Sequence, residues 1–219
     1  SLSNDTFQDV GTPAGPLHGI DGLSNAYTQI VKEGYPTGAF FGPHCRGIDE
    51  NGEYVIDDPD EKAYLGSAQP KFNLGFSTNA TWKWFDLSVA AYGMFGQKIL
   101  NATNMQLFTD TRMPNKNIPD KFAKQGIKPD KITYSDYWIE DGSFLRLQSI
   151  TLGFTIPGTK KWGLETLRVY GTIDNVCTIT GYSGLDPEIS TSGLDNPGID
   201  LCNVYPRTRS FIFGVNVSF

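Results

Sequence analysis

An acidic stretch at residues 49–60 has the residue types and spacing closest to a calcium-binding loop. Oxygen-bearing side chains stand at its positions 1, 3, 5, 9 and 12, namely Asp49, Asn51, Glu53, Asp57 and Asp60. Calcium loops take carboxylate and amide oxygens at this kind of spacing. The stretch departs from that pattern at Tyr54, where a glycine normally allows the sharp turn, and at Asp60, which is shorter than the usual glutamate. Two interpretations stay open: a bound calcium ion, and a solvated acidic loop.

Two pairs of neighbouring carboxylates, Asp57/Asp58 and Glu140/Asp141, raise the question of glycoside hydrolysis. That reaction needs two carboxyl groups held at a fixed separation across a sugar, and nothing in the sequence orients either pair. No Ser/His/Asp or Cys/His arrangement stands out, and no glycine-rich loop precedes a helix. The sequence predicts no enzymatic activity and leaves the substrate-binding residues unknown.

The three cysteines, Cys45, Cys177 and Cys202, form no CxxC pair and are accompanied by two histidines only. Zinc sites normally need four such ligands at close spacing, so a zinc site is not predicted. Two alternatives remain: three separate thiols, or a Cys177–Cys202 bridge in an oxidising compartment.

The composition favours many strands joined by turns. Among 219 residues there are 24 glycines and 13 prolines, with 13% aromatic and 19% charged residues. The net charge of −6 and the lack of a basic stripe argue against nucleic-acid binding. No apolar run reaches 18 residues, which excludes a transmembrane helix but not a membrane β-strand of about 9–11 residues. Because residues 1–5 do not resemble a signal peptide, we expect that one was removed or that the chain continues a longer protein.

Alternation with a period of two is the strongest pattern in the chain. Apolar residues dominate the even positions of 71–83 and the odd positions of 85–95, which predicts a hairpin with a tight turn at Lys83-Trp84. The cleanest alternation lies at 210–219, with these apolar residues on one face: Phe211, Phe213, Val215, Val217 and Phe219.

Two further strands are predicted at 150–156 and 167–174. Upstream of the first, Leu145 and Leu147 are at odd positions, whereas Ile150 and the later apolar residues are at even positions. A β-bulge near Gln148-Ser149 would restore a single apolar face. Alternatively, the upper part of this strand stands clear of the membrane.

The connections between the predicted strands alternate in length. Those at 83–84 and 157–164 are short, and those at 100–142 and 180–207 are long. Short turns at one end and long loops at the other are typical of outer-membrane β-barrels, and Trp82, Trp84 and Trp162 fall at the short-turn end, where an aromatic girdle is expected. The alternative is a soluble β-sandwich, such as a carbohydrate-binding or structural domain, whose apolar face is a protein core.

Several motifs, in order along 30–219, resemble the SusC/RagA-type TonB-dependent outer-membrane transporters. They are EGYPTGAFFG at 33–42, YLGS at 64–67, PKF at 70–72, DYWIEDGSFLRL at 136–147, ITLGF at 150–154, LRVY at 167–170, DN at 174–175, YSGLDPE at 182–188 and the end from PRT at 206–208 to Phe219. Residues 1–29 match no motif of this family and are expected to form a periplasmic-side turn or linker.

The resemblance implies an all-β fold, made of the C-terminal antiparallel strands of a large transmembrane β-barrel. A plugged transporter barrel has 22 strands, and about six are expected here, so the barrel is incomplete. Residues 30–219 would be the C-terminal part of that barrel, multi-pass in the cell outer membrane and in contact with lipid.

The resemblance also implies a function and partners. The whole protein would import glycans or peptides, powered by TonB through the missing N-terminal part, with a SusD-like lipoprotein over the barrel mouth. Phe219, a terminal aromatic on the apolar face, would be the signal read by the barrel assembly machinery. No cofactor is certain, calcium being the one candidate.

Overall fold

The computed structural model describes residues 8–10, 28–31, 33–51, 53–58, 61–107, 120, 133–189, 197–201 and 205–219. Its strands are β1 Gln8–Val10, β2 Gln29–Val31, β3 Ala39–Gly42, β4 Cys45–Ile48, β5 Tyr54–Ile56, β6 Ala63–Ser67, β7 Phe72–Trp82, β8 Phe85–Phe95, β9 Lys98–Leu100, β10 Ile139–Asp141, β11 Phe144–Thr155, β12 Thr166–Thr180 and β13 Ser210–Ser218. A short helix, α1, spans Ala102–Leu107. The all-β prediction is therefore confirmed. Within these ranges, no helix has both the length and the apolar character needed to cross a membrane.

The chain forms two compact units. The first, here called the sheet unit, contains 72–95, 143–181 and 206–219. The second, the connection unit, contains 1–71, 96–142 and 182–205. Each long connection predicted from the sequence thus contributes to a folded unit. The predicted boundary between residues 29 and 30 rests on sequence similarity and stays a prediction. Strand β1 lies before this boundary and pairs with β2, which contains it.

The sheet unit is one antiparallel sheet of five long strands in the order β13-β12-β11-β8-β7. Its strands have 9 to 15 residues, and successive strands of this sheet pair with each other even where a long connection separates them, as β8 with β11 and β12 with β13. Trp82 pairs with Phe85 across the two-residue turn, as predicted, and Lys83 takes a positive φ of 54° there. Five long strands, of the roughly six expected, therefore form a continuous ladder.

The phase fault in β11 is a β-bulge, one of the two explanations left open by the sequence. The register of β11 against β8 shifts between Leu147 and Ser149, so that Gln148 has no direct partner. The ladder with β12 shifts at the same place, where Asn175 adopts a positive φ of 52°. Because the extra residue changes the parity, Leu147 and Ile150 lie on the same face of the sheet.

The connection unit has its own sheets and core. A four-stranded sheet has the order β1-β2-β3-β6, and β4 pairs with β5 and β9 with β10. An isolated bridge joins Leu100 of β9 to Ile199, which brings the two long connections together. The buried core contains Phe40, Leu100, Ala102, Met105, Tyr134, Trp138 and Ile199. The apolar residues of both long connections therefore stabilise this unit by mutual burial.

Deleting Gln148 should be tolerated, because β11 then alternates regularly and every other residue keeps its face. Deleting Ala90, which pairs with Ser149 in the unbulged β8, should instead reverse the faces of half of that strand. We expect the second deletion to cost at least about 2 kcal/mol of folding free energy. The measurement is the fraction of full-length protein that migrates as a heat-modifiable folded band in detergent. Equal folding of the two deletion variants would contradict the bulge assignment.

Candidate functional site

One face of the sheet unit is apolar across all five strands. The central rungs illustrate this: Ala80, Leu87, Leu152, Gly171 and Phe213 lie side by side, and Thr78, Val89, Ile150, Ile173 and Phe211 form the next rung. The exposed fraction is 54% for Leu152 and 84% for Phe213. Large apolar patches left exposed mark a surface made for another apolar phase or partner.

Tryptophans mark one end of this sheet. Trp82 ends β7, Trp84 lies in the hairpin turn, and Trp162 lies in a 3-10 turn at Thr159–Trp162 between β11 and β12. All three are exposed, and Lys83 Nζ lies 5.1 Å from the centre of the Trp82 ring. The structure therefore confirms the predicted position of these residues at the short-turn end, and amphipathic rings of this kind favour a membrane–water interface.

The opposite face is polar and carries an ion pair between two strands that are not neighbours. Arg168 of β12 donates from Nε to Asp86 Oδ1 at 2.8 Å and from Nη2 to Asp86 Oδ2 at 2.5 Å. Gly153 of β11 lies between them, and a Cβ there would collide with both side chains. The glycine thus leaves the space that a two-pronged guanidinium–carboxylate contact needs. Nothing in the sequence pairs these two residues, which belong to separate predicted strands.

A second arginine on the polar face is buried. Arg146 of β11 is 2% exposed, and its Nε donates to Thr178 Oγ1 at 3.0 Å. Its guanidinium lies 5.4 Å from the Phe144 ring centre and 5.9 Å from that of Tyr92. These contacts stabilise a cation through ring faces and a hydroxyl group. On the same face, the Thr151 and Thr172 hydroxyls share a hydrogen bond of 2.8 Å. The face is therefore polar and also internally ordered.

Glu140 connects two segments of the connection unit. Its Oε1 accepts from Ser183 Oγ at 2.6 Å and from Asn101 Nδ2 at 2.9 Å, and its Oε2 accepts from the Ser183 amide at 2.8 Å. The neighbouring Asp141 forms an exposed ion pair with Lys98 at 3.6 Å. Of the carboxylate pair considered for glycoside chemistry, Glu140 thus connects the two long connections.

A second carboxylate of the same unit, Asp200, also accepts hydrogen bonds from separate segments. It accepts from the Thr103 hydroxyl at 2.6 Å and from the Tyr182 hydroxyl at 2.7 Å. Asp136 is a third carboxylate of this unit that contacts a distant segment. It contacts His44 Nδ1, and its Oδ1 accepts from the Cys45 amide at 2.7 Å. Three acidic residues of this unit therefore act as hydrogen-bond acceptors between distant segments.

Two tyrosines of the connection unit, the buried Tyr134 and the half-buried Tyr54, stay neutral. Burial raises the pKa of the Tyr134 phenol well above its ordinary value, and Asp136 adds to the rise. Its hydroxyl donates to the Thr28 carbonyl at 3.0 Å. Burial is also the main cause that raises the pKa of Tyr54, followed by Tyr137 and Cys45. A phenol kept neutral in this way remains a hydrogen-bond donor at every physiological pH.

The structure places four of the five candidate calcium ligands. Asp49 Oδ1 accepts from the Asn51 amide at 2.9 Å and from the Glu53 amide at 2.8 Å, which closes a turn. Asp57 forms an ion pair with Arg46 at 2.5 Å. Asp60 lies outside the described residues. Across the described ranges, no three His, Cys, Asp or Glu side chains are grouped so as to hold a metal ion. Calcium binding stays a prediction.

The other predicted residues have mixed outcomes. Phe219 follows β13 and is 89% exposed, and its role in assembly stays a prediction. Cys177 is exposed on β12, and Cys202 lies outside the described residues, so the bridge between them also stays a prediction. The structure adds Asp86, Gly153 and Arg168, which sequence reasoning had missed.

Comparisons with known proteins identify relatives of one kind. The chain is 30% identical over 90% of its length to the TonB-dependent receptor SusC of Bacteroides thetaiotaomicron, and 25% identical over 88% to the TonB-dependent receptor P3 of Formosa agariphila. These matches cover 21% and 23% of the relatives, so the chain spans about a fifth to a quarter of their length. No protein-family model matches the chain.

Solved structures show the same fold. The structure of the RagAB peptide transporter matches with a TM-score of 0.68 and 24% identity, over 88% of this chain and 24% of that one. The RagAB peptide importer in its open-open state matches with a TM-score of 0.67 and 24% identity, over 89% of this chain and 24% of that one. The resemblance drawn from the sequence is confirmed: the chain is similar over most of its length to TonB-dependent receptors of the SusC/RagA type.

Replacing Glu140 by alanine should loosen the connection unit. The change removes three hydrogen bonds to one carboxylate, each of a type that contributes about 1.5–3 kcal/mol. We expect faster amide exchange at 182–189 and 98–104. Asp141→Ala is the matched control, because exposed ion pairs contribute about 0–1 kcal/mol. If both variants exchange at the parent rate, Glu140 is not a stabilising link.

Proposed function

We propose that this chain forms part of the transmembrane wall of a TonB-dependent importer in the cell outer membrane. The observation that carries the proposal is the sheet unit itself, in which five antiparallel strands share one exposed apolar face and one ordered polar face. In an outer-membrane barrel the apolar face contacts lipid and the polar face lines the lumen. Strands of 9 to 15 residues are long enough to cross the hydrocarbon core, which takes about 9–11.

The physical alternative is a soluble β-domain. Such a sandwich would cover the apolar side chains with a second sheet at about 10 Å. Phe72, Phe76 and Phe211, on strands at both sides of the sheet, instead remain more than half exposed. In water these rings would drive aggregation, whereas in lipid they lower the free energy of the protein. The membrane location is therefore favoured.

The cargo and partners that we propose are based on those of the similar proteins. Two similar structures are named as a peptide transporter or importer, and one similar receptor is SusC. We propose import of glycans or peptides, a SusD-like lipoprotein as partner, and energy supplied by TonB through parts of the protein beyond this chain. The barrel assembly machinery would recognise Phe219. The ordered connection unit, with its buried core, offers a rigid surface for such a partner.

Val89→Arg should impair assembly of the full-length protein in the outer membrane. Val89 lies near the middle of β8 on the apolar face, between Thr78 and Ile150. An arginine at mid-depth in lipid costs about 2–4 kcal/mol. Ser88→Arg is the matched control, since the adjacent residue faces Asn79 and Thr151 on the polar side at the same depth. The measurement is the amount of heat-modifiable folded protein in the outer-membrane fraction.

If the two arginine substitutions reduced the amount of folded outer-membrane protein equally, the assignment of the lipid and lumen faces would be wrong. A protein recovered as a stable monomer from the soluble fraction would support the soluble alternative instead.

The long connections should be accessible from outside intact cells. Leu185, 68% exposed in the connection from β12 to β13, is replaced by cysteine in a chain whose three native cysteines are serine. A membrane-impermeant maleimide should label this variant in intact cells. Lys160→Cys, in the short turn between β11 and β12, should be labelled only after the outer membrane is opened. The reverse pattern would mean that the strands run the opposite way across the membrane.

A further inference from the structure

The apolar face of the sheet unit is interrupted by a groove, here called the Gly171 groove. Gly171 stands where the neighbouring positions on its rung carry Leu152 and Phe213. The side walls of the groove are formed by Phe85, Leu152, Phe154, Val169, Phe213 and Val215. The Phe85 and Phe154 rings lie 4.8 Å apart and close one side. None of these lining side chains is charged, so the groove suits an apolar group such as a hydrocarbon chain.

The glycines of the sheet unit differ in whether a side chain of the protein occupies the space beside them. On the polar face, a Cβ at Gly153 would collide with Asp86 and Arg168, and one at Gly214 would collide with the Tyr170 ring. A Cβ at Gly171 would only touch the Phe213 ring, at 3.5 Å. The protein's own side chains therefore fill the space at Gly153 and Gly214, and the Phe95 ring fills that at Gly93 of the apolar face. Gly171, like Gly75 of the polar face, stays open to a group from outside.

The end of the sheet nearest the groove is basic. The short turns carry Lys83, Lys160 and Lys161, all exposed, against a single acidic residue, Glu165. Asp86 and Arg168 pair with each other on the polar face, so they do not change the net positive charge at this end of the sheet. A surplus of positive charge beside an apolar groove is complementary to a molecule with an anionic head and an apolar tail.

The dimensions fit a lipid of one leaflet. Gly171 is five residues into β12, about 17 Å from the strand start at 3.4 Å per residue. Half of a hydrocarbon core is about 15 Å thick. A chain that starts beside the lysines of the turns would therefore reach the groove near its far end.

We propose that the Gly171 groove binds one acyl chain of an anionic phospholipid whose phosphate group lies by Lys160 and Lys161. This inference rests on the proposed membrane location. The bound lipid would fill the gap between Leu152 and Phe213 and fix the packing of β11, β12 and β13 against the surrounding bilayer. The site selects by charge at the head and by apolar contact at the tail.

The test uses the full-length protein reconstituted in phosphatidylcholine vesicles that contain phosphatidylglycerol with a photoreactive group in its acyl chain. After illumination, labelled peptides are located by mass spectrometry. We expect the label to concentrate on β11, β12 and β13 around Gly171. An even distribution over all five strands would overturn the proposal. Equal labelling by a matching phosphatidylcholine probe would overturn the part that concerns the anionic head.

Gly171→Leu tests the groove directly, because the leucine would occupy it while keeping the face apolar. Losing the contact of about two methylene groups corresponds to roughly a tenfold drop in labelling. Ala80→Leu is the control, since Ala80 lies on the same rung at the far edge of the sheet. Lys160→Gln combined with Lys161→Gln should reduce the phosphatidylglycerol signal to that of phosphatidylcholine. Unchanged labelling of folded Gly171→Leu would contradict the proposal.

Two readouts keep this inference separate from the proposed function. Outer-membrane fractionation and heat-modifiable migration are measured first on the parent protein. A parent absent from the outer membrane would overturn the proposed function. A folded outer-membrane parent with evenly spread label would overturn only the lipid site. If Gly171→Leu does not fold, the label map of the parent decides by itself.

Discussion

The constraint on which the sheet unit depends is that side chains in register keep the same face across five strands. The backbone ladder fixes which residues are neighbours, and each one-residue slip would exchange the two faces. The bulge at Gln148 satisfies this constraint, because it lets Leu147 and Ile150 share a face although their parity differs. A single unpaired residue thus preserves an apolar surface to which every strand contributes.

The polar face obeys a different constraint, which is space. The ion pair between Arg168 and Asp86 crosses an intervening strand, and only a glycine at 153 leaves room for it. Gly214 does the same for the Tyr170 ring. These contacts connect β8, β11, β12 and β13 by side chains as well as by the backbone. The wall is therefore braced on the side that the proposed function assigns to the lumen.

How much of the structure the sequence predicts depends on how far apart in the chain the interacting residues are. The hairpin at Lys83-Trp84, the bulge and the apolar face follow from local alternation, which is a property of neighbouring residues. The connection unit could not be predicted, because the bridge from Leu100 to Ile199 joins segments about a hundred residues apart without any periodic pattern. The pairing of Asp86 with Arg168 was hidden for the same reason. Asp49 Oδ1 accepts from two backbone amides, a local contact that leaves the calcium-like spacing a prediction.

Gly153 and Gly171, in the neighbouring strands β11 and β12, differ in what occupies the space beside them. A β-strand glycine loses packing and backbone entropy, so it persists where its empty space is used. At Gly153 the space is used by the protein's own charged side chains. At Gly171 no such side chain enters from the sheet unit, and the walls are rings and aliphatic groups. If the apolar face contacts lipid, hydrocarbon chains contact the walls beside Gly171. The space above this glycine is then filled by lipid and is not an empty cavity. A lipid-facing wall can therefore leave the space beside Gly171 without a side chain of the protein. A soluble core would not, because protein interiors are packed to high density.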